Sequence, residues 1–114
     1  LKKMFQNLDP LLHSQLRLAI MALLMQVKEA DFPFLKEKTK STSGNLSVAI
    51  TKLSDGGYIS VQKSFKDNYP QTNCKVTAKG VKAFEKYVED LKAYIQPNKY
   101  FFLQQSKYLS ISKE

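Results

Sequence analysis

The stretch that decides the fold is TKSTSGNLSVAITKLSDGGY, residues 39–58. Apolar residues from Leu46 to Leu53 recur at helical spacing, which predicts a helix that buries this face against a core. We expect Ser43 to be the N-cap, because its hydroxyl can accept a backbone N–H of the first turn. A Gly-Gly pair follows Asp55 and should end the helix, since glycine adopts the left-handed conformation without a Cβ penalty.

The opposite face of this predicted helix carries small or neutral hydrogen-bonding side chains and a single cation. An ordinary solvated face is usually rich in Glu and Lys, yet no carboxylate precedes Asp55 in this segment. Such a surface can enter a DNA major groove and touch base edges and phosphates. A plain solvated face is the alternative. The residues concerned are Gly44, Asn45, Ser47, Val48, Thr51 and Lys52.

Composition points to a basic protein of one domain. The chain has 114 residues, 18 of them basic and 10 acidic, with a formal net charge of +8. Ten lysines stand against four acidic residues between Lys36 and Lys86. This local excess favours a polyanionic partner, and nucleic acid over an anionic membrane surface. The apolar run that contains Ala19–Met25 is too short to cross a bilayer, so we expect no membrane partner.

Cysteine and histidine are too sparse for a metal centre. Cys74 is the only cysteine, which excludes an internal disulfide and suits a reducing, cytoplasmic location, and no secretory leader pattern is visible. His13 is the only histidine and lacks a cluster of other ligands, so we expect it to cap or pack. We predict no metal, no cofactor and no enzymatic activity, because no catalytic constellation or phosphate loop is present.

The chain before residue 39 should form two helices. Asp9-Pro10 is a helix-start signal, and Ser14 can cap a longer helix whose apolar stripe runs to Val27. Phe32 is expected in a short strand, and a brief helix over residues 34–39 should follow. The polar residues 40–42 then join this brief helix to the helix predicted from Ser43, and two helices joined in this way form a helix-turn-helix.

After residue 57 the apolar period changes from helical to two. Ile59, Val61 and Phe65 alternate with polar residues, as expected for a strand with one apolar face. Residues 67–71 have turn chemistry, and a second strand is expected from Thr72 to Val76. A β-hairpin directly after a helix-turn-helix is a wing.

A long helix is predicted from the cap Thr77 to about Ile95. Its apolar residues recur at alternating steps of three and four, close to a coiled-coil seam, which suggests that its distal half meets a partner helix. We expect residues 1–95 to form the domain with its dimerisation helix, and residues 96–114 to be a tail that packs on the domain or on a partner. The expected dimer contacts are Phe84, Val88, Leu91, Tyr94, Ile95, Phe101 and Phe102.

The order of elements resembles a winged helix-turn-helix domain. The segments GNLS, LSDGGYI, KSF, the P-x-T of residues 70–72 and VTAKG together are similar to small transcriptional regulators of the MarR/ArsR/PadR-like group. The resemblance spans about Leu8 to Leu91. It implies an α+β, mainly α, winged helix-turn-helix fold with a long C-terminal dimerisation helix. It also implies a homodimer that binds double-stranded DNA sequence-specifically, at a pseudo-palindromic operator, and regulates transcription.

The resemblance also implies a set of DNA contacts. This chain departs from the family in its cations, since its only arginine, Arg17, lies in the first long helix. Lysine lacks the planar fork that grips guanine, so we expect lysines to hold phosphates, while Asn45, Ser47 and Thr51 contact bases. The expected DNA-binding residues are Ser41, Thr42, Ser43, Gly44, Asn45, Ser47, Val48, Thr51, Lys52, Lys63, Lys66, Asn68, Tyr69, Gln71, Thr72 and Lys75.

Three questions stay open at this point. A winged-helix domain can be a protein–protein interaction module that never binds DNA, since folds host unrelated functions. The aromatic residues of the last helix and tail can line a cavity for a small-molecule effector, or they can form a dimer core. Cys74 can be a redox switch, although a buried structural thiol fits its strand better.

Overall fold

The computed structural model describes residues 5–95, which contain seven helices and strands. The strands form one antiparallel sheet in the order β1-β3-β2. The helices outweigh the sheet, and the α+β, mainly helical winged architecture is the one predicted. The elements are α1 (Gln15–Val27), β1 (Glu29–Asp31), α2 (Phe32–Thr39), α3 (Ser43–Asp55), β2 (Ile59–Lys66), β3 (Tyr69–Val76) and α4 (Ala78–Ile95).

The first long helix begins at the predicted cap. Ser14 is extended, and its hydroxyl accepts the backbone N–H of Arg17. The Asp9-Pro10 signal yields only a single turn, in which Asp9 O accepts the N–H of His13 at 2.8 Å. The side chain of Arg17 folds back on this turn and donates to Leu11 O at 2.6 Å. Arg17 therefore has a structural role here.

The short strand lies earlier than predicted. It comprises Glu29–Asp31, and Phe32 is the first residue of α2. The reason is the Asp31 carboxylate, which accepts the N–H of Phe34 at 2.9 Å and so caps α2. Lys28, with φ of 71°, ends α1 and turns the chain into the strand.

The core lies where the helix-turn-helix packs on α1 and the sheet. Four α3 residues at the predicted spacing are buried, and Leu35 of α2 is fully buried beside them. From the sheet come Ile59 and Cys74, which confirms the prediction of a buried thiol. Burial raises the pKa of the Cys74 thiol to about 11, so the unreactive protonated form prevails near neutral pH. The buried α3 residues are Leu46, Ala49, Ile50 and Leu53.

The base of α4 is fixed against the end of α3. The hydroxyl of Thr77 donates to Gly57 O at 2.7 Å and accepts the N–H of Gly80 at 3.0 Å, so Thr77 caps α4 as predicted. Gly80 is buried against the backbone of Tyr58, where a Cβ would lie 2.9 Å from the carbonyl carbon and closer still to the oxygen. A glycine at this position therefore lets α4 approach the chain that leaves α3.

A hydrogen bond ties the N-terminal turn to the same region. The Tyr58 hydroxyl donates to the Asp9 carboxylate, whose other oxygen accepts the N–H of Leu11 at 2.9 Å. Burial, together with this carboxylate, raises the pKa of Tyr58 to about 12. Tyr58 thus stays a neutral donor, and α3, α4 and the first turn hold fixed relative positions.

Candidate nucleic-acid interface

The turn that presents α3 is built from hydroxyl groups. Thr39 donates to Leu35 O at 2.7 Å, and its oxygen lies 2.8 Å from that of Ser41. Lys40 has a left-handed backbone, with φ of 55°, which ends α2 and starts the turn. Thr42 is extended and accepts the N–H of Asn45 at 3.1 Å.

The N-cap of α3 is therefore Thr42, and the prediction of Ser43 was wrong by one residue. Ser43 is the first residue of the helix. Three consecutive hydroxyl residues can each cap a helix, and side-chain chemistry alone cannot choose among them. The choice follows from the backbone, because Thr42 has the extended conformation (φ of −76°, ψ of 157°) that a cap requires.

The face of α3 opposite the core is open along its whole length. All the predicted contact residues of the helix are exposed, and the side chain of Val48 is 55% exposed. At Gly44 a Cβ would meet no other atom within 4 Å. Packing within residues 5–95 therefore does not require a glycine there. The exposed residues are Ser43, Gly44, Asn45, Ser47, Val48, Thr51 and Lys52.

The wing, defined here as β2, β3 and their turn, is tighter than predicted. Only Asp67 and Asn68 form the turn, both with positive φ of 53° and 66°, and β3 already begins at Tyr69. The expected turn over residues 67–71 was too long. Asp and Asn tolerate the left-handed region, and a two-residue turn of this kind matches the twist of paired strands.

One face of the wing continues the exposed surface of α3. Lys63 pairs with Thr72 across the hairpin, on the same face as the partly buried Val61 and the buried Cys74 nearer its base. Lys63 and Thr72 border a cleft of about 270 Å³ whose other wall is α3, including Ser47 and Thr51. The structure thus brings two of the predicted wing residues, Lys63 and Thr72, next to two predicted residues of the helix.

The other predicted wing residues lie on the opposite face or at the tip. The pairs Ser64–Gln71 and Lys66–Tyr69 alternate with the face that borders the cleft. Asn68 lies in the turn itself. Lys75 lies at the base of the sheet, paired with Ser60 on one side and Glu29 on the other. Lys75 is therefore the predicted contact that the fold separates most clearly from α3.

The cationic side chains of this surface are not neutralised by ion pairs. Within residues 5–95 the ion pairs are Lys86–Asp90 at 2.6 Å and Lys92–Glu89 at 3.2 Å, both inside α4. Lys52, Lys63 and Lys66 belong to neither pair. Among the described residues, Asp55 is the one carboxylate that borders the cleft, at its α3 end. The surface therefore offers free cations that can meet phosphates.

Sequence reasoning did not identify Phe65 at the wing tip as a surface residue. Phe65 was predicted on the apolar face of β2, but it is 78% exposed, and Tyr69, a predicted DNA contact, is 74% exposed. The charged Lys63, on the same face of β2, could have indicated that α3 does not cover the strand this far out. Phe65 lies two residues nearer the tip and is therefore not covered by α3. Phe32 was also missed, and it borders the cleft between α3 and the wing.

The predicted dimer contacts divide into two groups. Phe84 and Leu91 are partly buried against the core of their own chain, whereas Val88 and Ile95 are 39% and 56% exposed. Tyr94 is 43% exposed, and its hydroxyl donates to Gln6 O at 2.6 Å. Phe101 and Phe102 lie outside the described residues.

A second cleft lies between α4 and the segment before α1. It has a volume of about 550 Å³ and is lined by Asn7, Leu8, His13, Leu91 and Tyr94. His13 Nδ1 lies 2.9 Å from the Tyr87 hydroxyl, so the histidine packs against α4, as predicted. Among residues 5–95 no three His, Cys, Asp or Glu side chains are placed to share a metal ion. No helix in that range is long and apolar enough to span a bilayer.

The family profile described as a winged helix DNA-binding domain matches residues 16–95, from α1 to the end of α4. This chain belongs to that family. An uncharacterized protein of Methanocaldococcus jannaschii, MJ0432, is 35% identical over 79 residues, covering 69% of this chain and 86% of its own.

Solved structures agree with the family assignment. A transcriptional regulator homologue from Pyrococcus horikoshii OT3 superposes with a TM-score of 0.71 at 29% identity, over 76% of this chain and 86% of its own. A MarR-family transcriptional regulator from Silicibacter pomeroyi has the same fold, with a TM-score of 0.58 at 15% identity, over 90% of this chain and 70% of its own. NadR, solved in complex with 4-hydroxyphenylacetate, superposes with a TM-score of 0.62 at 21% identity, over 89% of this chain and 77% of its own. The predicted winged helix-turn-helix resemblance is confirmed.

Proposed function

We propose that this protein is a homodimeric transcriptional regulator that binds a pseudo-palindromic duplex operator, with α3 in the major groove. The observation that carries the proposal is the exposed face of α3. It combines neutral hydrogen-bonding side chains with Gly44, whose missing side chain serves no packing need in the described domain. A glycine without a packing role lets a backbone come close to a ligand, here the edge of the groove.

We assign base contacts to the middle of the face and phosphate contacts to its borders. Asn45, Ser47 and Thr51 carry donors and acceptors suited to base edges, and Val48 can cover a thymine methyl. The hydroxyls of the α2–α3 turn, Ser41, Thr42 and Ser43, lie at the helix N-terminus, where backbone N–H groups and the helix dipole favour a phosphate. The proposed phosphate clamps are Lys52, Lys63 and Lys66.

The homodimer rests on the outer side of α4. Val88 and Ile95 are exposed, and their spacing of seven residues places them on one stripe of the helix. A second copy that covers this stripe would place two α3 helices about 34 Å apart, one turn of DNA. Residues 96–114 would extend this interface, and Phe101 and Phe102 are assigned to it by sequence alone.

A regulator of this kind would act in the cytoplasm without catalysis, and it can take an effector. The cleft beside His13 and Tyr94 joins aromatic walls to polar groups, which suits a small aromatic acid or phenol. The complex of NadR with 4-hydroxyphenylacetate supports this chemistry. Thermal unfolding with and without such compounds tests the cleft. A rise in Tm that Tyr94→Ala abolishes is the expected result.

The function itself is tested by selection from a randomised duplex pool, followed by fluorescence anisotropy on the enriched sequence at two salt concentrations. We expect a palindromic site to be enriched and its affinity to fall steeply as salt rises, because bound lysines release counterions. Salt-sensitive binding without enrichment would reduce the surface to a nonspecific basic patch. Absence of binding at low salt would favour a protein-interaction module.

A further inference from the structure

The wing tip exposes aromatic surface that the folded domain does not use. Phe65 and Tyr69 are 78% and 74% exposed, the largest values among the large apolar side chains of residues 5–95. Pro70 lies directly across the hairpin from Phe65 and is also exposed. Phe65 and Pro70 form one exposed apolar patch, whereas Tyr69 lies on the other face of the hairpin. An apolar patch that the folded domain leaves uncovered points to a binding role.

The position of Phe65 relative to α3 follows from the strand register. The Phe65–Pro70 pair lies on the face that carries Lys63 and Thr72, two residues further toward the tip. Two residues of a strand span about 7 Å. The cleft between Lys63 and α3 therefore leads outward to Phe65 along one continuous surface.

The tip is narrow and stiff. Asp67 and Asn68 close it in a two-residue turn with both φ values positive, which fixes the strands side by side. The DNA minor groove is about 6 Å wide, which admits a single side chain but not the paired strands. Phe65 stands roughly perpendicular to the ribbon, so a ribbon held over the groove can present this one side chain to its floor.

The charges around the tip favour DNA as the occupant. Lys63 precedes Phe65 on the same face, and Lys66 follows it on the other, and neither is ion-paired with a residue in the range 5–95. Lysines on both sides of an apolar side chain are complementary to the minor groove, where phosphates lie on both sides of the stacked bases.

We propose that Phe65 is an apolar wedge that enters the minor groove beside the site bound by α3, opens a base step there and bends the duplex. This proposal rests on the DNA-binding function proposed above. Phenylalanine and proline act in this way at other protein–DNA contacts, because the bend that follows brings more protein surface onto the DNA. Pyrimidine–purine steps unstack most easily, so Phe65 would select a TA or CA/TG step under the wing without a hydrogen bond to it.

The test measures the end-to-end distance of a selected duplex by fluorescence energy transfer, together with affinity by anisotropy. The full chain is compared with Phe65→Ala and with Val27→Ala. Val27 is an apolar residue, 44% exposed, at the end of α1, which meets the base of the sheet through the hydrogen bond from Val76 N to Lys28 O. Each protein is measured on the selected duplex and on one whose step under the wing is replaced by a stiff A-tract.

We expect the full chain and Val27→Ala to bend the selected duplex and to bind it about tenfold more tightly than the A-tract duplex, a difference of ~1.4 kcal/mol. Phe65→Ala should lose both the bend and the tenfold preference, while binding the A-tract duplex as the full chain does. An unchanged bend and preference in Phe65→Ala would overturn the wedge and leave DNA binding intact. Loss of self-association in Phe65→Ala would also overturn it, in favour of a second copy at the tip. Failure of the full chain to bind any duplex would overturn both proposals.

Discussion

At the scale of single residues, two glycines of this chain have opposite structural roles. Gly80 lies where any side chain would collide with the backbone of Tyr58, which cannot move without shifting α4. Gly80→Ala should therefore lower the free energy of unfolding by about 1–3 kcal/mol, as overpacking does elsewhere. Gly44→Ala is the matched control, since its Cβ would meet open space, and it should raise stability by up to about 1 kcal/mol. Urea unfolding measures both. Equal losses in the two variants would refute the assigned close contact.

Gly44→Ala should nevertheless weaken operator binding, and this combination separates stability from function.

Single residues also show the limit of prediction from sequence. Helical spacing predicted the buried residues of α3 correctly, but it could not distinguish Thr42 from Ser43 as the cap, because both carry the required hydroxyl. Only the backbone decides between them, since Thr42 has the extended conformation of a cap and Ser43 is already helical.

At the scale of elements, the end of α2 offers a test of the turn that presents α3. Lys40 holds a left-handed conformation that costs a non-glycine residue about 1 kcal/mol. Lys40→Gly should therefore stabilise the fold by about 0.5–1 kcal/mol. Lys36→Gly, the same substitution inside α2, should destabilise it by about 1 kcal/mol. Thermal unfolding measures both variants, and a loss of stability in Lys40→Gly would contradict the strain at this C-cap.

The elements also show why the wing was the least predictable part. Its strands followed from the period of two, and its existence was predicted. Its turn was shorter than expected because Asp67 and Asn68 alone complete the reversal. The exposure of Phe65 depends on how far α3 extends over the sheet, which is a tertiary property that alternation in β2 cannot encode.

At the scale of the whole molecule, the proposed homodimer requires a second copy that covers α4. Val88→Lys would place a charge in that interface and should raise the dimer dissociation constant by roughly tenfold or more, which corresponds to at least ~1.4 kcal/mol. Val27→Lys is the control, because it adds the same charge at an exposed helix end that favours a cation. Sedimentation velocity measures the mass of each. A monomeric full chain, or a dimer unaffected by Val88→Lys, would rule out this interface.

The fold and the family could be predicted from the sequence, because helical and strand periods, caps and turn residues agree along residues 16–95. The sequence could not predict which α4 residues pack in the domain core and which stay exposed. Phe84, Tyr87 and Leu91 fit both a coiled-coil seam and a domain core, and the structure places Tyr87 in the core. The sequence period is the same in either case, so only tertiary packing separates the two roles.

We propose that α3 recognises bases through Asn45 and phosphates through Lys52. The most direct measurement is the affinity of Asn45→Ala and Lys52→Ala for the selected duplex and for a scrambled duplex, across a salt series. Asn45→Ala should lose about 1–3 kcal/mol on the selected duplex alone and relax preference at one position. Lys52→Ala should weaken both duplexes alike and reduce the salt slope by about one. If both variants lost affinity equally on specific and scrambled DNA, α3 would contact only the DNA backbone and the assignment of Asn45 to a base would be wrong.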